Sequence, residues 1–451
     1  MEIAILGLAI SVILFDYIAF SKRFTAFHLI ILPYLAIILI NNTIGAYMGF
    51  YKVTDRTMLM VLIGGLCFFA GNCLIHILSR DTAPVNRRDI SGISQDILDI
   101  DRVRCYVTLV LGLRFLQLLL IFARNGLAKV TANDFELLLT KGIMGHLMIS
   151  VFPLIPILFY HWLVDRKKVI DLALTGIYFV MAFIETEKAQ VLTITIAVFL
   201  YCVLKNRKYF KKGVIIMGSL IVLLFVGNYA AKFVMEGIYG SVGKDYYFYR
   251  LWSYIAGSLI NSKVVTDTIH KIPTDGFDYV SDVLLSLPNL FAVKLLGHEI
   301  GPDVRGVMPY MYGFLRVTKY TYGYKRQTGN VLTTMTYIFG NGNWIAFAIV
   351  MFLWGILAEF IMHKMYSSGR DSRLITCCSF MAFSMVSFFG SYYTSASFTE
   401  RLLYCGLWTI IFNKNLRIRF SEETSWEDYR KAREAQKALP QVKTGTAPRS
   451  T

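Results

Sequence analysis

The sequence predicts an all-α protein, a polytopic bundle of transmembrane helices. Hydrophobic residues make up 55% of its 451 residues and charged residues only 17%, whereas soluble proteins carry about 25% charged residues. One soluble core cannot take up this apolar surplus, because cores stop growing beyond about 250 to 300 residues. The Lys and Arg residues behind the net charge of +16 separate apolar runs. This pattern is typical of membrane topology signals, so we expect no nucleic-acid partner.

Eleven stretches are apolar and long enough to cross a hydrocarbon core, which takes about 20 helical residues. They are 2–20, 26–47, 58–78, 105–123, 143–164, 168–184, 189–204, 213–230, 343–363, 374–392 and 401–413. The first stretch contains Asp16, lacks a basic start and precedes no small-residue cleavage site. It is therefore predicted to be a span and not a cleaved signal peptide.

The distribution of basic residues among the connecting loops predicts the orientation. One alternating set of loops is strongly basic, including Lys22-Arg23, 80–104, 166–168 and 205–212. Basic loops stay on the cytoplasmic side of a membrane. We therefore expect the N-terminus outside and the C-terminus inside.

This topology divides the chain into four parts. Residues 1–230 form the first eight spans, 231–342 a large outward loop, 343–413 the last three spans, and 414–451 a cytoplasmic tail. Loops longer than about 12 to 15 residues are usually functional or disordered. This loop is rich in aromatic residues and Leu, and its segments 246–260 and 281–296 have the apolar faces of interfacial helices, the second interrupted by Pro288. The sequence thus places the functional site in the outward loop.

Two basic residues, one within a predicted span and one at the start of another, are candidates for binding an anionic ligand. Arg114 lies in the middle of a span, where a charge is costly and marks a functional position by default. The alternative is a structural pair with an acidic residue such as Asp16, Asp171 or Glu359. Lys188 begins a span on the side of the outward loop, where it either reaches an anionic ligand or belongs to a solvated turn.

Within the outward loop, the basic residues Arg250, Lys325 and Arg326 abut aromatic and small residues. An Arg side chain matches phosphate oxygens with two parallel hydrogen bonds. These residues are therefore predicted to bind a diphosphate headgroup at the membrane surface. The competing interpretation of the Tyr- and Arg-rich helix around Arg250 is an interfacial anchor.

His298, Glu299 and Asp303 cluster after Gly297 and are the candidates for a catalytic general base. The alternative is an exposed polar turn set by the glycines and proline nearby. The sequence has no metal-binding or Walker motif, and its seven cysteines lie in or beside apolar runs. We therefore expect neither a metal nor another cofactor.

Two runs in the loop resemble a known family. Residues 246–257 read Tyr-Tyr-Phe-Tyr-Arg-Leu-Trp-Ser-Tyr-Ile-Ala-Gly, and residues 329–334 read Gly-Asn-Val-Leu-Thr-Thr ahead of a Gly-Asn-Gly at 340–342. With the plan of about eleven spans and a late outward loop, these runs resemble the Wzy-type oligosaccharide repeat-unit polymerases of O-antigen and capsule synthesis. That family is related to the O-antigen ligases.

The resemblance implies a GT-C-like membrane glycosyltransferase of the bacterial cytoplasmic (inner) membrane. Its partners would be undecaprenyl-diphosphate-linked oligosaccharides, membrane lipid and a chain-length regulator protein. An acceptor hydroxyl would attack the donor sugar with inversion, without a metal, while arginines hold the departing diphosphate. A flippase for lipid-linked oligosaccharides is the main alternative function, followed by an O-antigen ligase and a non-catalytic scaffold.

Overall fold

A computed structural model of the chain describes residues 1–19, 24–79, 98–125, 142–165, 168–184, 188–212, 245–267, 273–302, 331–367 and 371–413, with short pieces at 214–216, 218–219, 304, 315–319 and 328–329. These parts are helical except for connecting turns and one antiparallel pair of two-residue strands, β1 (Leu315–Arg316) and β2 (Thr328–Gly329). The predicted fold class, all-α, is confirmed at this level.

The helices before residue 231 are α1 (Glu2–Ala19), α2 (Ala26–Ile40), α3 (Asp55–Leu78), α4 (Ile100–Asn125), α5 (Ile143–Val151), α6 (Ile155–Val164), α7 (Val169–Ile184) and α8 (Lys188–Lys205). The later ones are α9 (Asp245–Asp267), α10 (Gly276–Leu296), α11 (Thr334–Phe339), α12 (Trp344–Ser367), α13 (Asp371–Met385) and α14 (Ala396–Ile411). A π-helical turn, Asn41–Gly45, continues α2, and a 3₁₀ turn, Phe152–Leu154, joins α5 to α6.

Six helical stretches of the described chain are long and apolar enough to cross a membrane: Glu2–Ala19, Ala26–Gly45, Asp55–Leu78, Ile100–Arg124, Ile143–Val164 and Trp344–Tyr366. Each coincides with a predicted span. Three further predicted spans correspond to shorter apolar helices, at Val169–Phe183, Gln190–Lys205 and Arg373–Met385. The predicted span at 213–230 lies almost wholly outside the described residues, so the number eleven and the orientation stay predictions.

Helix α10 differs from its prediction at Pro288. The sequence predicts an interruption there, yet the helix runs without a break from Gly276 to Leu296. Proline removes one backbone hydrogen bond and does not always end a helix. Its ring lies on the exposed side of α10, where it does not disturb the packing of the buried side.

Helices α3 and α12 pack backbone to backbone through two glycines. A Cβ atom on Gly355 would collide with the carbonyl oxygen of Phe68, and one on Gly71 would collide with that of Phe352. Small residues allow membrane helices to approach this closely. The crossing fixes α12, the helix that carries much of the site described below.

A buried ion cluster joins the starts of α4 and α7 to the end of α6. Arg104 donates to both oxygens of Asp171, at 2.6 and 2.9 Å, and His161 Nδ1 lies 2.6 Å from Asp171 Oδ2. The Asp171 side chain is fully buried. The sequence offered Asp171 as a structural partner of Arg114, but its oxygens are held by Arg104 and His161.

Replacing Arg104 with alanine is expected to destabilise the protein by about 3 kcal/mol, because it leaves the Asp171 carboxylate buried without its guanidinium partner. Arg102 provides a matched control, since it pairs with Asp99 on the surface and is half-exposed. Its replacement by alanine should cost about 0 to 1 kcal/mol. Thermal unfolding of both variants in one detergent measures the difference, and equal losses of stability would contradict a structural role for the buried cluster.

Candidate functional site

Helix α9, which contains the first run of the family resemblance, contacts the second run through the part of the helix that follows the first run. Helix α9 packs against β2 and α11. Asn261 donates from Nδ2 to the carbonyl oxygen of Val331 at 3.4 Å, and the hydroxyls of Ser262 and Thr336 lie 2.6 Å apart. The predicted helices 246–260 and 281–296 are confirmed as parts of α9 and α10.

The inner side of α9 is polar although it is buried. Ser258, Asn261, Ser262 and Thr266 follow one another at helical spacing, and each is at most 3% exposed. Ser258 donates to the carbonyl oxygen of Phe388, while Thr266 and Thr57 share a hydrogen bond of 3.1 Å. These bonds hold α9 firmly on the bundle.

An apolar groove of about 430 Å³ lies between α10, α11, α12, α13 and α14. Its lining residues are Tyr279, Val280, Val283 and Leu284 from α10, Thr334 and Ile338 from α11, Val350, Leu353, Trp354 and Leu357 from α12, Phe380 from α13, and Tyr393, Phe398, Thr399 and Leu402 from α14 and the turn before it. The end of the bundle where this groove and α10 lie is called the α10 end below. The predicted topology places this end outside the cell.

The groove opens sideways, toward the surface that lipid would cover. Leu284, Leu353 and Leu357 line it and are 72%, 52% and 47% exposed. Along α12 the lining runs from Val350 to Leu357, about 10 Å at 1.5 Å per residue. The groove is therefore apolar along its length and open to the side.

Polar groups on the buried side of α10 lie next to the groove. The hydroxyls of Tyr279 and Ser391 are 2.8 Å apart, and those of Ser286 and Thr399 are also 2.8 Å apart. Burial raises the pKa of Tyr279 well above its usual value, which keeps the phenol neutral. Asp282 lies on the same buried side of the helix and is 4% exposed, and it is not among the residues that line the groove.

A second buried charged group lies at the start of α14. Glu400 pairs with His146 of α5 at 2.7 Å, and the guanidinium of Arg401 lies 5.0 and 5.1 Å from the ring centres of Phe152 and Phe383. Phe383 packs in turn on Phe398, a groove residue. Arg401 thus lies one aromatic layer behind the groove, in a cation–π arrangement.

Sequence reasoning missed Asp282, His146 and Glu400. Asp282 is recognisable afterwards, because it shares the buried helical stripe of Tyr279 and Ser286, with spacings of three and four residues. The pairing of His146 with Glu400 has no local signal, since 254 residues separate them.

Two of the predicted catalytic residues lie in an exposed turn. His298 and Glu299 follow α10, and His298 Nδ1 lies 3.1 Å from the carbonyl oxygen of Leu296. Gly297 and Gly301 have φ angles of 77° and 83°, as the alternative interpretation of a glycine-set turn expects. Neither His298 nor Glu299 lines the groove. Asp303 lies outside the described residues.

The predicted anion-binding residues are only partly described. Arg114 is 1% exposed and donates to Gln117 Oε1 at 2.6 Å. Arg250 belongs to α9 and Lys188 begins α8, although their side chains are not among those the structure describes. Lys325 and Arg326 fall outside the described ranges. A diphosphate role for these residues stays a prediction.

Within the described residues, no group of three or more His, Cys, Asp or Glu side chains is arranged to hold a metal ion. No protein-family model matches this chain, and neither a curated protein nor a solved structure matches it.

Proposed function

We propose that the protein is a membrane glycosyltransferase that joins oligosaccharide repeat units carried on undecaprenyl diphosphate. The observation that best supports this function is the groove at the α10 end, which is apolar along its length, open to the side and bordered by polar residues. A polyprenyl-linked sugar needs such a place, because its tail belongs in hydrocarbon while its diphosphate and sugars belong in water.

The groove has the dimensions of a ligand site. Its volume of about 430 Å³ falls in the usual range of roughly 300 to 1,000 Å³ for small-molecule pockets. It would hold the part of the tail nearest the diphosphate, and the rest would remain in the bilayer. The tail would then fix the position of the donor sugar relative to Asp282 and the residues of the outward loop.

In the proposed reaction, a hydroxyl of the acceptor glycan attacks the anomeric carbon of the donor sugar. The new glycosidic bond forms as the bond to the diphosphate breaks, with inversion, and the hydroxyl proton passes to a base. Undecaprenyl diphosphate leaves as a stable anion. Arg250, Lys325 and Arg326 are proposed to neutralise the negative charge that develops on the departing diphosphate. Preorganised hydrogen-bond donors stabilise developing charge in this way in the active sites of other enzymes.

Asp282 joins His298, Glu299 and Asp303 as a candidate for the base. A carboxylate acts as a general base when it lies within hydrogen-bond reach of the proton it takes. Asp282 does not line the groove either, but its burial on the helix that carries the lining residues Tyr279 and Val283 favours it over the exposed turn residues. An O-antigen ligase would use the same chemistry with a different acceptor.

The second candidate function is a transporter of lipid-linked oligosaccharides. Buried ionisable residues in the helices favour it, namely Asp16, Arg114 and Glu359, which are at most 4% exposed. Intramembrane charges of this kind mark ion pathways in many transporters.

Loss of the gene in its host separates these functions. Loss of a polymerase leaves single repeat units on the surface lipid, loss of a flippase leaves none, and loss of a ligase leaves polymer unattached. We expect single repeat units, with long chains restored by the wild-type gene.

The proposed diphosphate ligands are tested in the same host. Because Arg250→Ala and Arg326→Ala each remove a cation that balances the departing diphosphate, they should restore few or no long chains. Arg102→Ala, which removes an exposed arginine at the opposite end of the bundle, should restore them fully. If both loop variants restored long chains at normal protein level, the assignment of these arginines would be wrong.

A further inference from the structure

Four ionisable side chains meet inside the bundle at the end away from α10. They come from four helices: Asp16 from α1, His28 from α2, His76 from α3 and Glu359 from α12. The carboxylate side chains are 2% and 5% exposed, and the imidazoles are 11% and 13% exposed. Each buried acid is thus paired with an imidazole that has one edge near the surface.

The first pair is built around the turn that starts α2. Asp16 Oδ2 accepts a hydrogen bond of 2.7 Å from the hydroxyl of Thr25 and lies 3.3 Å from His28 Nδ1. The backbone N–H of Thr25 also donates to His28 Nδ1, at 3.3 Å. Asp16 Oδ1 is buried and has no hydrogen-bond partner among the residues that the structure describes.

The second pair uses the next residue of the same turn. Glu359 Oε2 accepts the backbone N–H of Ala26 at 2.7 Å, and Glu359 Oε1 lies 2.9 Å from His76 Nε2. The N-terminus of α2 therefore contacts both carboxylates, one through the Thr25 side chain and one through a backbone N–H. Its partial positive charge favours two acids here, but it does not balance two full negative charges.

Charge balance in this cluster requires protons. With both acids ionised and both imidazoles neutral, the cluster would carry two negative charges away from water, at a cost of several kcal/mol per ion. Because His28 Nδ1 accepts the Thr25 N–H, this nitrogen carries no proton in the structure, so the Asp16 carboxyl group is the proton position in this pair. Its Oδ1 atom, which has no hydrogen-bond partner among the described residues, is the oxygen that can carry the proton.

We propose that Asp16, His28, His76 and Glu359 form a proton-binding site within the membrane part of the protein. The surface edges of the two imidazoles provide the route to water. An imidazole beside each carboxylate suits a proton better than sodium, which is bound by oxygen ligands.

Other titratable groups lie near this cluster on α3 and α12. Cys73 lies one turn before His76 on α3, and His363 and Lys364 follow Glu359 on α12. Lys364 lies over the ring of Phe360, with 5.1 Å between Nζ and the ring centre. Helix α12 carries Glu359 on roughly the opposite side from the groove residues Leu353 and Leu357, since 100° separates successive residues of a helix. The proton site and the groove therefore share one helix.

Dicyclohexylcarbodiimide tests the site in the wild-type protein, because this apolar reagent modifies carboxyl groups in their protonated form. We expect mass spectrometry of the lipid-reconstituted protein to find the label on Asp16 or Glu359. The labelling rate should fall as pH rises, approaching about tenfold per pH unit once the acid is mostly ionised. Label on neither residue, or a rate independent of pH, would overturn the proposal.

Two further measurements sharpen the test. Sodium that slowed labelling more than potassium at equal ionic strength would show a cation site and would also overturn the proposal.

In infrared titrations, Asp16→Asn and Glu359→Gln should each remove or shift a protonated-carboxyl band. Asp55→Asn, which changes an exposed acid at the start of α3, should leave that band unchanged. Identical titrations of wild type and both cluster variants would contradict the site.

Discussion

Replacing Gly355 with valine is expected to prevent stable packing of α3 on α12. The new Cβ atom would meet the backbone carbonyl oxygen of Phe68, which cannot move aside as a flexible side chain can. Overpacking costs about 1 to 3 kcal/mol in ordinary cores, and we expect about 3 kcal/mol or more at this backbone contact. The loss would appear as a lower unfolding temperature and a lower yield of monodisperse protein in detergent.

Gly112 provides the control for this substitution. It is an exposed residue of α4, and a Cβ atom there would meet nothing within 4 Å. Gly112→Val should therefore leave the unfolding temperature nearly unchanged, whereas Gly71→Val should behave like Gly355→Val. A Gly355→Val protein as stable as the Gly112→Val protein would show that the α3–α12 contact is looser than described.

Filling the groove is expected to abolish most glycan transfer without unfolding the protein. Val283→Trp places an indole in the groove that Val283 lines, where it would exclude the proposed polyprenyl tail. We expect at least a tenfold fall in the rate of chain extension, which corresponds to about 1.4 kcal/mol of transition-state stabilisation. Extension of a lipid-linked oligosaccharide by the purified, reconstituted protein measures this rate.

The control for groove filling lies on the same helix. Leu295 is 82% exposed and does not line the groove, so Leu295→Trp should extend chains at the wild-type rate. Equal rates for Val283→Trp, Leu295→Trp and wild type would exclude the groove as the tail site, provided that all three proteins are folded.

The sequence predicted best what depends on local composition. The span at 143–164 and the segments that became α9 and α10 were placed correctly, because apolar length and amphipathic spacing are local properties. Helix α14 begins at Ala396, five residues before its predicted start. The first turn of α14 contains polar residues, which a search for apolar stretches does not include. These residues form hydrogen bonds within the protein, as Thr399 does with Ser286 and Glu400 with His146.

The sequence predicted poorly what depends on distant residues meeting. The carboxylate of Glu359 accepts the N–H of Ala26 across 333 positions, and no local pattern reports such a contact. The sequence argument offered Asp16 as a partner for Arg114, whereas it pairs with His28. The groove is likewise a shape formed by five helices, and hydropathy does not encode shape.

One measurement tests the proposed function most directly. The purified protein would be reconstituted in liposomes with an undecaprenyl-diphosphate-linked oligosaccharide and no nucleotide. We expect a ladder of products that differ by one repeat unit, together with released undecaprenyl diphosphate. Substrate that remains a single repeat unit, whether it stays in place or crosses the bilayer, would contradict a polymerase; crossing would favour the transporter.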